Sequence, residues 1–296
     1  MRPTAPPLSA YSVASAQLAS VAVLSRTPSA NRINAVEDVA GLGLLHTLRV
    51  NDFLVFIGVG FLAQLVDGAL GMAYGVVSNT VLLSIGVHPA TASASVHAAE
   101  VFTSGVSGLS HWRLGNISKP LMWRLVVPGM VGGGIGAYLL AHFAAPIIRP
   151  IVSLYLGLAG AWILFRAFRH RGEPRPMPRG VPVLGFVGAF LDAIGGGGWG
   201  PIVTSTLIGT GAAPRFAIGS VNAAEFFVTL TVSLTFLITS GFTLWPIVAG
   251  LLVGGVIAAP IGARLTRKLP EKPLMIMVGL LIVGLSIRGL VLWGMS

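Results

Sequence analysis

Eight blocks of predominantly apolar residues, at roughly 53–85, 89–111, 120–144, 150–168, 181–210, 214–240, 243–264 and 273–293, dominate the sequence. A hydrocarbon core about 30 Å thick takes roughly 20 consecutive apolar residues per crossing helix, and the blocks have that length. Charged residues make up only 9% of the chain and hydrophobic ones 54%, with a mean hydropathy of +0.85. Soluble domains carry about 25% charge. An all-α integral membrane protein follows, in which the 39 Gly and 19 Pro sit within helices and permit close packing and local breaks.

The net charge of +10 does not point to nucleic acid, because Lys and Arg fall in short connections between apolar blocks rather than along one face. The absence of Cys removes disulfides, thiolate catalysis and iron–sulfur clusters. Residues 1–51 are rich in Ala, Ser and Pro and form an N-terminal extension, expected to be mobile or interfacial; a targeting segment stays open as an alternative, although no Arg-led, continuous apolar core of the expected kind is present. The Arg- and Pro-rich connection at 169–180 separates a first transmembrane repeat, 52–168, from a second, 181–296.

These two stretches repeat at an offset of 125 positions. Gly60, Phe61, Asp67, Gly71 and Gly75 align without a gap on Gly185, Phe186, Asp192, Gly196 and Gly200. The same offset carries Gly86, Pro89, Ser95, Ala98, Ala99 and Glu100 onto Gly211, Pro214, Ser220, Ala223, Ala224 and Glu225. Matching acids, Pro and Gly in register mark an internal duplication, a common construction in transporters, whose sites lie at the repeat interface near the bilayer midplane.

Block 53–85 holds 33 residues. A continuous helix of that length would be about 50 Å long, well beyond the hydrocarbon core. Each half is therefore expected to start with a broken or re-entrant helix, interrupted between Asp67 and Gly75 and between Asp192 and Gly200. If all eight blocks simply crossed, the halves would be parallel and the basic residues beyond the distal extension would divide ten to six. If the first block of each half turns back, thirteen share one face, including Arg113, the five Arg of 166–179, Arg215 and Arg264, and only Arg49, Arg149 and Arg288 face the other. The positive-inside rule favours the second arrangement, with inverted halves and a cytoplasmic 169–180 connection.

Four of the nine acids lie inside apolar blocks: Asp67, Glu100, Asp192 and Glu225. An ionised residue at helix centre costs about 2.5–3.5 kcal/mol on insertion scales, so such acids are functional hypotheses by default. The alternative is that they cap broken helices or hold helices together. Ser93, His97, Glu100 and Ser104 share one helical face, matched in the second half by Ile218, Asn222, Glu225 and Thr229. Asp67, His97, Glu100, Asp192 and Glu225 are the candidate ion-coupling residues, His97 because its ordinary pKa lies near neutrality.

The breaks themselves, Gly68–Gly75 and Gly195–Gly200, let the backbone unwind, and the half-helix that follows offers free N–H groups to an anion. Gly71, Tyr74, Gly75, Gly196, Gly197, Gly198, Trp199 and Gly200, with Ser95, Ser220 and Asn222, form the candidate substrate site. The glycines could equally serve only close helix crossing, as Gly132–Gly136 is expected to do. No catalytic constellation, cofactor motif or resident metal site is expected, and an enzyme is not indicated.

The stretches GFLAQLVDGALGMAYG and ASASVHAAEVFTSGVSGLSHWRLGN, with their second copies GFVGAFLDAIGGGGWGP and GSVNAAEFF, resemble the sulfite exporter TauE/SafE family over roughly residues 53–293. The first break departs from the family's glycine-rich pattern, with Leu70, Met72 and Ala73 interleaved. The resemblance implies a multi-pass secondary transporter of small sulfur-containing anions, sulfite or organosulfonate, in a plasma membrane of the bacterial inner-membrane type. Proton coupling through Glu100, Glu225 or His97 is the expected mechanism. A cation or metal transporter using the carboxylates is the alternative, and a membrane-embedded assembly partner without transport a third reading. The expected partners are the small anion and the lipid bilayer, with no nucleic acid; a homo-oligomer stays open.

Overall fold

The computed structural model describes residues 50–142, 145–168, 180–240, 245–265 and 271–294. The expectations for the N-terminal extension and for the 169–179 connection fall outside the described residues. The first half consists of α1 (Val50–Leu70), α2 (Tyr74–Ser84), α3 (Pro89–Arg113), α4 (Lys119–His142) and α5 (Ala145–Phe168). The second consists of α6 (Val181–Gly195), a π-helical turn (Gly200–Thr204) running into α7 (Ser205–Gly209), then α8 (Pro214–Thr239), α9 (Trp245–Leu265) and α10 (Glu271–Gly294). Among the described residues no strand occurs, and six helices are long and apolar enough to cross a membrane. The chain is a multi-pass membrane protein. Helix α3 has the length, with 25 residues, but carries the polar stripe.

Local chemistry sets the helix ends. Pro89 and Pro214, equivalent in the repeat, open α3 and α8 at a position where a missing N–H costs nothing. His88 also caps α3 through Nδ1, which accepts from the Ala90 N–H, and His111 and Arg113 meet its C-terminal dipole. Helices α1 and α6 both end on a left-handed glycine, Gly71 at φ 67 and Gly196 at φ 63, a conformation that glycine adopts without a Cβ penalty.

Packing exchanges the halves. The third long helix of each half lies on the first helix of the other, α9 on α1 and α4 on α6, while α3 packs on α8 and α5 on α10. Backbones come close there: a Cβ at Gly132 would run into the Phe186 carbonyl, and one at Gly254 into the Ile57 carbonyl. Without a hydrophobic drive between helices in lipid, such approach supplies the dispersion contacts that hold them. Outward positions such as Leu62, Leu158, Ile238 and Leu280 are apolar and exposed, whereas Asp67, Asn79, His97, Glu100, Asp192, Asn222 and Glu225 are buried. Polarity is thus concentrated inside the bundle.

Candidate functional site

The two breaks cross each other. A Cβ at Gly75 would stand 3.0 Å from the Gly197 Cα, and one at Gly197 would collide with the Gly75–Val76 backbone. Each half also ties down the other's chain. Asn79 of α2 donates Nδ2 to the Gly195 carbonyl at 2.6 Å, and Thr204 donates Oγ1 to the Gly71 carbonyl at 2.6 Å. Positions 79 and 204 are equivalent in the repeat and both residues are fully buried. Sequence reasoning missed them, although a polar residue at the same place in both copies was the available signal.

Beside this crossing lies a cluster of ionisable groups. His97 Nε2 is 3.0 Å from Asp192 Oδ2 and 4.0 Å from Glu100 Oε2, and all three residues are buried. His97 Nδ1 lies 2.8 Å from the Ser93 carbonyl, and the Ser93 hydroxyl donates to the Ala193 carbonyl. Asp192 Oδ1 accepts the Trp199 backbone N–H at 3.1 Å. Glu100 Oε2 has no hydrogen-bond partner, while its Oε1 faces Gly75 across the first break.

Donor counting fixes a proton in this cluster. A carbonyl oxygen only accepts, so Nδ1 must carry the hydrogen in its bond to Ser93. The Nε2–Oδ2 contact then needs a second hydrogen, which sits either on the imidazole or on the carboxyl. His97 and Asp192 together therefore hold one proton between the halves.

The equivalent positions elsewhere are wired differently. The Tyr74 N–H meets Asp67 as the Trp199 N–H meets Asp192. Asn222, the counterpart of His97, accepts from the Ser107 hydroxyl at 2.7 Å and donates to the Ile218 carbonyl. Ser104 and Thr229, also equivalent, approach to 3.5 Å, and each donates to the carbonyl of the acid one turn earlier, Glu100 or Glu225. Asp192 thus occupies the first amide of the half-helix after its break, the place where the sequence leads one to expect a bound anion.

Other expected site residues have structural partners. Tyr74 donates its hydroxyl to the Leu251 carbonyl and Trp199 its indole N–H to the Val221 carbonyl, so this aromatic pair anchors the breaks to neighbouring helices. Ser220 bonds the Ser118 backbone at the α3–α4 connection, away from the crossing. Ser95 is buried within α3. Gly71, Gly75, Gly196, Gly197 and Gly200 all lie at the crossing, where a Cβ at Gly200 would strike Met72. Tyr155 of α5 is an addition: a Cβ at Gly195 or Gly198 would overlap it, and its hydroxyl is buried without a partner.

A buried ionisable cluster held between two crossed, broken helices defines a polytopic membrane transporter. The comparisons with known proteins then give the family. The profile described as Sulfite exporter TauE/SafE matches residues 56–289. This chain belongs to that family. It is 41% identical over 252 residues to the probable membrane transporter protein YtnM of Bacillus subtilis, covering 82% of this chain and 84% of that one. It is 28% identical over 234 residues to the probable membrane transporter protein YdhB of the same organism, covering 74% and 89%. A 107-residue stretch is 24% identical to sulfite exporter TauE/SafE family protein 3 of Arabidopsis thaliana, covering 36% of this chain and 22% of that one. No solved structure matches the chain.

Proposed function

We propose that the chain carries a small sulfur-containing anion, sulfite or an organosulfonate, across a bacterial-type plasma membrane together with a proton. The observation that carries this reading is the His97–Asp192 pair, whose shared proton also governs a backbone amide at the breaks. With the carboxylate charged, Asp192 holds the Trp199 N–H as an internal stand-in for a substrate anion. With Asp192 neutral, that amide becomes available to an oxyanion, and the unpaired Tyr155 hydroxyl beside Gly198 adds a second donor. A second proton, taken up onto Asp192 from the substrate side while His97 keeps the shared one, then enters with the anion and leaves with it. The expected sign is flux that rises as pH falls on the substrate side.

Inverted halves support alternation between the two faces, and three contacts favour that topology. Arg288 donates to the Ser84 carbonyl at 2.7 Å, Arg166 to the Ser205 carbonyl at 2.9 Å, and Arg215 to the Gly115 carbonyl at 2.7 Å. If every block simply crossed, each of these pairs would lie on opposite membrane faces. If the first block of each half turns back, each pair shares a face. Cysteines placed at 112–119 and 265–272 should then resist labelling from outside intact cells, and labelling of 265–272 alone would restore parallel halves.

A second reading keeps the same cluster. The His97, Glu100 and Asp192 ligand atoms lie within 4.8 Å of one another, so a divalent cation could replace the shared proton. Radiolabelled sulfite and divalent cations supplied to proteoliposomes, with and without a pH gradient, decide between them. Sulfite flux driven by an acid-side gradient supports the first reading; cation flux indifferent to sulfite overturns it in favour of the second.

A further inference from the structure

A different polar cavity lies away from the crossing, at the C-terminal end of α2. Thr80 and Ser84 meet Ser153 of α5 and Ser286, Arg288 and Trp293 of α10 around a volume of ≈ 190 Å³. That is far above the ~10–15 Å³ needed to hold one water. The donor inventory there is unbalanced. Arg288 gives one N–H to the Ser84 carbonyl, and a guanidinium has five. Among the described residues no carboxylate lines the cavity to neutralise it. The Ser286 hydroxyl is buried, 3% exposed, and has no hydrogen-bond partner. Thr80 and Ser84 already donate to the Val76 and Val81 carbonyls of their own helix.

A helix cap alone would account for one Arg288 N–H and would leave both the cavity and the Ser286 hydroxyl without a use. The geometry points to a binding site for one oxyanionic group of the sulfonate, sulfite or phosphate class, held by the free side of the Arg288 guanidinium and the Ser286 O–H. The planar fork of an arginine matches two oxygens of such a group, which a halide does not offer. Trp293 and the aliphatic wall of α10 would take an apolar substituent on the anion. The site stands on its own lining; where the transport reading holds as well, it is the vestibule in which the substrate waits before reaching the breaks.

Titration calorimetry on the full chain in phosphatidylcholine nanodiscs tests this, with sodium methanesulfonate as probe against sodium chloride at equal ionic strength. Saturable methanesulfonate binding is expected, weakened at least tenfold in Arg288→Gln and threefold to tenfold in Ser286→Ala. The second substitution keeps the Ser84 cap, so it decides the matter if the first impairs folding. Wild-type affinity in both variants, or no saturable binding in the wild type, overturns the site. Replacing a third of the lipid by phosphatidylglycerol identifies the source: competition assigns the site to a lipid phosphate, and unchanged affinity to a free anion. Parallel sulfite flux separates this inference from the transport reading. Arg288-dependent binding without any flux overturns transport and keeps the site, whereas sulfite flux together with wild-type methanesulfonate affinity in both variants overturns the site and keeps transport.

Discussion

The surroundings of Asp192 and of Asp67 are built from equivalent positions, yet they differ where a proton could reside. Asp192 faces His97 at 3.0 Å, and the imidazole is locked from behind by the Ser93 carbonyl. The counterpart of that imidazole is Asn222, which is consumed by Ser107 and by its own helix. Ser93, which reaches across to the Ala193 carbonyl, has Ile218 as its counterpart, packed against Gly71. One copy keeps a titratable bridge between the halves, and the other has a fixed amide and an aliphatic contact. Duplication supplies the scaffold in pairs, and divergence at Ser93/Ile218 and His97/Asn222 leaves the imidazole–carboxyl contact, among the described residues, on one side.

That contrast can be broken by substitution. The largest effect is expected at the shared crossing, where Gly197→Val forces a side chain into the Gly75–Val76 backbone. Overpacking of this kind costs about 3 kcal/mol or more when no flexible neighbour can yield. Folded protein recovered by size exclusion should fall severely. Next comes Asp192→Asn, which keeps the size of the side chain and its acceptor for Trp199 but removes the carboxylate that faces His97: sulfite flux should drop about 100-fold. Asp67→Asn, the matched change, should cost under about tenfold and leave the shape of the pH profile intact. Equal effects at the two positions would remove the distinction between the two breaks.

His97→Asn gives the second break the same partner type as the first. It should flatten the pH profile while protein yield stays near wild type, and Asn222→His in the same background should not restore it, because position 222 is met by the Ser107 hydroxyl. The smallest effects are expected at the cross-ties. Thr204→Val and Asn79→Ala each leave a buried carbonyl unpaired, at a cost of about 1–3 kcal/mol. Each should lower the thermal unfolding temperature measurably and leave more than half of the flux.

The fold was largely legible because its determinants are local. The length of block 53–85 set against the thickness of a bilayer demands an interruption, and Gly71 and Gly196 mark where it falls. The four membrane-depth acids were legible because ionisable groups stand out in apolar surroundings. The partners of these groups were not. That Asp192 meets His97 across 95 positions follows only from how the halves interleave. Tyr155 was hidden for the same reason, its neighbours Gly195 and Gly198 lying in the other half. Tyr74 and Trp199 illustrate the converse: an aromatic at equal positions in both breaks fits a pocket lining and an anchor equally well, and only the carbonyls of Leu251 and Val221 distinguish the two.

The reciprocal ties of Asn79 and Thr204 also set an order of events during biosynthesis. The first break exposes its Gly71 carbonyl until Thr204 has been made, and Asn79 has no acceptor until Gly195 has followed it out of the ribosome. At about 5–20 residues per second, the 125 positions between the equivalent ties take roughly 6–25 s to synthesise. For that interval the first half must wait in the membrane with its central turn unsealed and the Gly71 carbonyl and the Asn79 side-chain amide both unmet. Insertion machinery or lipid has to shelter it, and a nascent chain stalled between the halves should be an early target for membrane proteolysis, whereas one carried through α10 should resist it.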